Sequence, residues 1–139
     1  MYKIGSIAFI VLGLLHIIAH FLGTLNPDKA TFDLLNQMAN HKIQLLGEHS
    51  LLKFHTGFSL TMGFLLSVFG VQNLLVAKTV NKKYLISTII ITAITFILSI
   101  AYFHLLATTF IFVSLISYIL SYYKFRIYDK NNNNGNDTN

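Results

Sequence analysis

From Tyr84 to Tyr123 the sequence contains no Asp, Glu, Lys or Arg, a stretch of about 40 residues. As one helix it would be about 60 Å long at about 1.5 Å per residue. The hydrocarbon core of a bilayer is about 30 Å thick. The stretch is therefore twice one crossing and is expected to fold back on itself near His104 to Thr108. This predicts a third span over about 84–103 and a fourth over about 106–123, antiparallel neighbours because the connection is so short.

Two further uncharged stretches complete the pattern. No charged side chain lies between Lys3 and Asp28, and the segment Ile4 to Gly23 gives a first span over about 4–23. A second, over about 54–77, lies between Lys53 and Lys78 and contains Gly57, Gly63 and Gly70, which membrane helices tolerate. Composition agrees: 54% of the 139 residues are hydrophobic and 11% are charged, against about 25% charged in soluble domains. Mean hydropathy is +0.61. The expected fold class is all-α, a polytopic membrane four-helix bundle forming one domain over 1–130. A cleaved signal peptide is the competing reading of residues 1–23, but no A-x-A-like site follows the apolar run.

Four crossings put both termini on one side together with the loop at 78–83. That side collects Lys3, Lys78, Lys82, Lys83, Lys124, Arg126 and Lys130, and the other holds Lys29, Lys42 and Lys53. Basic excess marks the cytoplasmic face, so both termini are expected inside and the 24–53 connection outside. The net charge of +5 then reports orientation, and no nucleic-acid partner is implied. Asn81 to Lys83 reads as an anchor on anionic head groups. Asn26 as N-cap and Pro27 as first helical residue, with Leu34, Met38, His41 and Leu45 at helical spacing, predict a short amphipathic outer helix over about 27–46, with Gly47 as the break. The Asn-rich tail 131–139 is expected to be disordered.

Membrane helices associate through small residues and hydroxyls, and each span has a stripe of them. The stripes are Ser6, Gly13, His16, His20 and Gly23; Thr56, Ser59, Gly63, Ser67 and Gly70; Thr88, Thr92, Thr95, Ser99 and Tyr102; and Ala107, Ser114, Ser117 and Ser121. An alternative is that these hydroxyls merely bond their own helix at the i−4 carbonyl.

The histidines are the one chemical signal, and the expected topology gathers all six in the outer half. Intramembrane histidine is costly and marks a candidate functional site. His16 and His20, four residues apart, project from one helix face. Three chemical readings stand beside a structural one in which the histidines satisfy each other, hydroxyls and backbone. A b-type haem can be held axially by His16 or His20 with His55 or His104, with Lys42 or Lys53 at its propionates. A divalent metal can take donors from His16, His20, His49, His55 and His104 with Glu48. A quinone or proton site can use neutral histidines and Tyr102. His41 and His49 individually read as interfacial residues.

Other chemistry is excluded. With no Cys, disulfides, Cys-based zinc sites, iron–sulfur clusters and thiol redox reactions drop out. Ile17 stands where HExxH needs its general base. Glu48, His49 and Ser50 are adjacent in sequence and have no G-x-S-x-G elbow, so they do not make a triad. There is no phosphate-binding glycine loop and no paired intramembrane carboxylate, and hence no catalytic signature.

With GLLHIIAHF in the first span, NPDKATFDLLNQM after it and FHTGFSLTMGFLLSVFGVQNLL in the second, the chain resembles a family of small bacterial four-helix integral membrane proteins of uncharacterised function. The resemblance covers about residues 10–77. Its pattern is a histidine in the first span, a polar outer segment and an aromatic-x-G-F-S-L-x-M run, matched by His16, Phe54, His55, Gly57, Phe58, Ser59, Leu60 and Met62. It implies a bacterial inner membrane and adds weight to His16, and it brings no activity. The expectation is an inner-membrane structural or accessory subunit of a larger complex or homo-oligomer, with a histidine-rich outer pocket. The alternative is a haem- or metal-binding redox protein using His16, His20, His55 and His104.

Overall fold

The computed structural model describes residues 1–25, 27–44 and 47–136, with side chains through Tyr128. In chain order the elements are α1 (Tyr2–Leu25), α2 (Lys29–Asn40), β1 (Lys42–Gln44), β2 (Glu48–Ser50), α3 (Leu51–Val76), α4 (Lys82–Tyr102) and α5 (Leu105–Asn136). Four helices, α1, α3, α4 and α5 as far as Tyr128, are long and apolar enough to cross a membrane. They match the four expected spans, with ends that differ by one to five residues. The earlier starts of α3 and α4 follow from capping side chains, which satisfy first-turn amides that otherwise lack a partner. Ser50 Oγ accepts from Lys53 N at 3.2 Å and starts α3 at Leu51. Asn81 Oδ1 accepts from Tyr84 N at 2.9 Å and starts α4 at Lys82. The turn between α4 and α5 is confined to Phe103 and His104, at the leading edge of the expected window, whose residues from Leu105 on already belong to α5.

The segment between α1 and α3 corrects the sequence reading. The single amphipathic helix expected over 27–46 is a shorter helix, α2, followed by a hairpin in which Lys42 pairs with Ser50, Ile43 with His49 and Gln44 with Glu48. The N-cap is Asp28, whose Oδ1 accepts from Thr31 N at 2.7 Å, and Pro27 precedes it. This anchoring holds the Asp28 carboxyl below the usual carboxylate range. A charged acceptor suits a helix N-terminus better than a neutral Asn two residues earlier. At the other end the His41 N–H donates to the Gln37 carbonyl as the backbone turns extended. Gly47 then adopts φ +132°, a conformation costly for any side chain, which allows β2 to return along β1. Lys42 Nζ and Glu48 Oε2 lie 3.1 Å apart across the hairpin, both exposed. No residue of α2 is buried: Leu34 is exposed and Met38 half-buried. Asn26 and Leu45 lie outside the described residues. At the C-terminus, α5 continues to Asn136 through most of the segment expected to be disordered. Extending an established helix costs far less than nucleating one, even through poor helix formers such as Asn.

The chain divides into two compact units, one formed by Met1–Val11 with Val68–Asn139 and the other by Leu12–Ser67. In the first, α4 and α5 lie side by side, and Thr108 Oγ1 near the turn donates to the Ser99 carbonyl at 3.2 Å. The core is aromatic at its centre. Fully buried Tyr118 stacks on Phe9 at 6.5 Å and tilts against Tyr2 at 5.0 Å, while Phe9 meets Phe69 edge-on at 4.9 Å. Such offset and edge-to-face arrangements suit the ring quadrupole. Gly70 permits a close approach here, since a Cβ on it would stand 2.6 Å from the Ser6 carbonyl oxygen and 2.8 Å from Ile10 N.

In the second unit, α1 and α3 approach through Gly13 and Gly63. A Cβ on Gly13 would lie 2.5 Å from the Gly63 carbonyl oxygen and 2.6 Å from Ser67 N. Leu12 is buried there.

Of the predicted stripes, Ser6, Gly13, Gly63, Gly70, Thr88, Thr92, Ser99, Ala107, Ser114 and Ser117 are buried, whereas Gly23 and Tyr102 are exposed. Ser67, Thr95 and Ser121 bond carbonyls of their own helix, at 3.1, 2.9 and 2.7 Å. The two readings of the hydroxyls also coincide: Thr88 and Ser114 each reach a carbonyl of their own helix, at 3.0 Å, as well as a group on another helix.

Candidate functional site

Helical spacing aligns three histidines of the second unit, His16, His20 and His55, along the seam between α1 and α3, whereas His41 ends α2 and His49 lies on β2. His16 and His20 are one turn apart on α1, and Ser59 and His55 one turn apart on α3, running in the opposite direction. His16 Nε2 lies 3.1 Å from Ser59 Oγ, with the ring half-buried. One turn further, the rings of His20 and His55 face each other at 6.2 Å between centroids, inclined by 39°. Here the geometry brings together three of the predicted site residues, His16, His20 and His55.

The others are placed differently. His104 belongs to the first unit and caps α5, its Nδ1 accepting from Ala107 N at 3.5 Å. Tyr102, also of that unit, is 81% exposed at the end of α4. Glu48 pairs with Lys42 across the hairpin, and this occupies the one carboxylate of the predicted metal set. His49 is exposed on β2 and borders a groove of about 360 Å³ with Lys53, Phe54, Gly57, Phe58 and Thr61. Among the described residues no group of three or more His, Asp or Glu side chains is arranged to hold a metal ion. Of the predicted set of His16, His20, His49, His55 and Glu48, the rings of His20 and His55 come near each other, whereas Glu48 and His49 lie on β2 of the hairpin.

Sequence reasoning missed the polar centre of the first unit. Asn73 on α3 is fully buried. Its Oδ1 accepts the Tyr2 hydroxyl, and the Thr88 hydroxyl lies 3.3 Å from the same oxygen. The Asn73 Nδ2 donates to the Phe69 carbonyl at 2.8 Å. One amide therefore ties α1, α3 and α4 together. Alongside it, Ser114 Oγ reaches the Gly5 carbonyl at 3.0 Å and Tyr118 OH reaches Ser6 Oγ at 3.5 Å. Among the described residues the Thr92 hydroxyl is the one buried side-chain polar atom without a hydrogen-bond partner. The available signal for Asn73 was its place on the stripe of the second span, three residues beyond Gly70.

Comparison with family models, with curated proteins and with solved structures finds no match to this chain.

Proposed function

We propose that this chain is a multi-pass protein of the bacterial inner membrane, a four-helix bundle with both termini cytoplasmic, serving as a structural or accessory subunit of a larger membrane complex or homo-oligomer. The observation that carries this reading is how the buried polar groups are used. Tyr2 and Thr88 meet Asn73, Ser114 meets Gly5 and His16 meets Ser59. Each of these bonds joins one helix to another, the device by which membrane helices associate. The likeness of the GLLHIIAHF and FHTGFSLTMG segments to small bacterial membrane proteins supports the compartment. In this role the histidine seam is a fastening: the protein extracted in mild detergent is colourless and metal-free, and His16→Ala weakens α1–α3 packing, read as a lower unfolding temperature.

The facing of His20 and His55 supports a second reading. The two rings, 6.2 Å apart between centroids, would supply a pair of imidazole nitrogens, a donor type that zinc, copper and iron accept. This pair suits a divalent metal or the iron of haem b, with remaining ligands from water or a second molecule. The deciding experiment is one absorbance spectrum with elemental analysis. A Soret band or near-stoichiometric metal, abolished by His20→Ala or His55→Ala and retained in His16→Ala, overturns the accessory role. Without either signal the accessory role stands.

A further inference from the structure

Because α4 and α5 are antiparallel and joined by two residues, their far ends come together. There Ile86, Ile89 and Ile90 of α4 and Ile119, Tyr122, Tyr123 and Arg126 of α5 enclose a groove of about 280 Å³. Its residues recur at helical spacing on both helices, so the groove runs along the helix axes. The floor is isoleucine, and the polar groups are gathered at one end. Lys82, Lys83 and Lys124 are exposed at that same end. No acidic residue occurs between Glu48 and Asp129.

We propose that this groove holds one anionic phospholipid, its acyl chain along Ile86, Ile89, Ile90 and Ile119 and its phosphate at Arg126. The volume is below the roughly 300–1,000 Å³ typical of sites that enclose a whole small molecule, and it suits a segment of chain whose head lies outside. The guanidinium presents a planar fork that matches phosphate oxygens two at a time. Tyr122 and Tyr123 have the amphipathic rings that settle at head-group level. The three lysines add attraction to negative lipid. An apolar slot with a single cationic end matches an anionic lipid better than a zwitterionic one, whose outer ammonium the lysines repel.

The proposal rests on the membrane reading, and the test separates the two. Membranes are first washed at alkaline pH. A chain released into the aqueous phase overturns the membrane reading, and this proposal with it. Protein extracted in mild detergent is then equilibrated with phosphatidylglycerol and phosphatidylcholine of equal chain length, and the retained lipid is counted by native mass spectrometry. Wild type is expected to hold one phosphatidylglycerol per chain in preference to phosphatidylcholine. Arg126→Gln should lower its retention about tenfold, the scale of one lost charge-assisted hydrogen bond. Ile90→Trp, which fills the slot and leaves Arg126 in place, should also empty it. Lys124→Gln, outside the groove lining, should stay within about twofold of wild type if the groove matters more than general charge. Helix content by circular dichroism verifies that each variant folds. Equal retention of the two lipids, an unaffected Arg126→Gln, or an equal loss in Lys124→Gln overturns the proposal.

Discussion

A carboxamide placed among apolar helices has to bring its partners with it, and Asn73 does. Its acceptor oxygen takes the Tyr2 hydroxyl, with Thr88 also in reach, and its amide nitrogen is used on its own helix. Replacing it with Leu removes the shared acceptor, although Thr88 keeps an alternative in the Tyr84 carbonyl at 3.0 Å. Asn73→Leu is therefore expected to cost about 1 kcal/mol, the scale of interhelical hydrogen bonds and of neutral hydrogen bonds generally. Thermal unfolding in detergent measures it. If the bond to Tyr2 is the main loss, Tyr2→Phe added to Asn73→Leu lowers stability little further, whereas independent roles make the two costs add. Little of this was legible in the sequence, because the partners lie 71 and 15 positions away. A lone Asn in an apolar run looks the same whether or not partners await it. Ser6, Thr88, Thr92, Ser99, Ser114 and Ser117 were legible as buried positions, since their spacing alone places them on one face of each helix. His16 was legible as a seam residue for the same reason, but its bond to Ser59 needed the register of α1 against α3.

Glycines at the scale of helix pairs separate close approach from mere tolerance. In α3, Gly57 has open space around its missing Cβ, whereas a Cβ on Gly13 of α1 meets backbone of the opposing helix at 2.5 and 2.6 Å. Backbone cannot swing aside as a long side chain can. Gly13→Ala is expected to separate the helices and destabilise by about 1–3 kcal/mol, as overpacking does. Gly57→Ala is expected to be neutral or to stabilise by up to about 1 kcal/mol through helix propensity. Unfolding midpoints of the two variants measured side by side test the contrast, and equal effects would refute the close approach. In α2 the cap supplies a pH dependence. The folded Asp28 carboxyl lies below its ordinary range because Thr31 bonds the charged form. Its capping contribution is thus fully present above about pH 4, the ordinary carboxylate value, and is lost as pH falls through the lower folded value. Protection of the Thr31 amide, taken relative to its intrinsic exchange rate at each pH, should fall on acidification in wild type, whereas Asp28→Asn, a neutral residue that still caps, should lack this acid limb. The long helices were legible because unbroken apolar runs admit few alternatives. The hairpin was not: three-residue strands are too short to show alternation, and Gly47 reads as a break whether the chain bends or doubles back.

For the whole molecule, the apolar surface and the basic side chains argue together. Within the apolar windows of the four long helices only 22–33% is buried inside the protein, and Ile4, Ile7, Leu14, Ile18, Phe58, Phe64, Ile94, Ile97 and Ile100 are among the exposed side chains. Soluble monomers rarely leave contiguous apolar patches larger than a few hundred Å² exposed, so this surface calls for lipid or for neighbouring helices. The lengths agree: α4, the shortest of the four at 21 residues, measures about 31 Å, enough for a hydrocarbon core of about 30 Å. In a membrane the basic residues become orientation signals. With four crossings, seven would fall on the side of the termini and the 78–83 loop, and three on the side of the 24–53 connection. The expected outcome is that a reporter fused after Asn139 and active only in the cytoplasm is active, whereas one inserted between Pro27 and Lys29 is silent. Replacing Lys78, Lys82 and Lys83 with Gln narrows seven against three to four against three. A mixed population of orientations should then appear if these charges set the topology. A C-terminal reporter that works only outside the cytoplasm in the unaltered chain would reverse the orientation and put the groove at Arg126 on the opposite face.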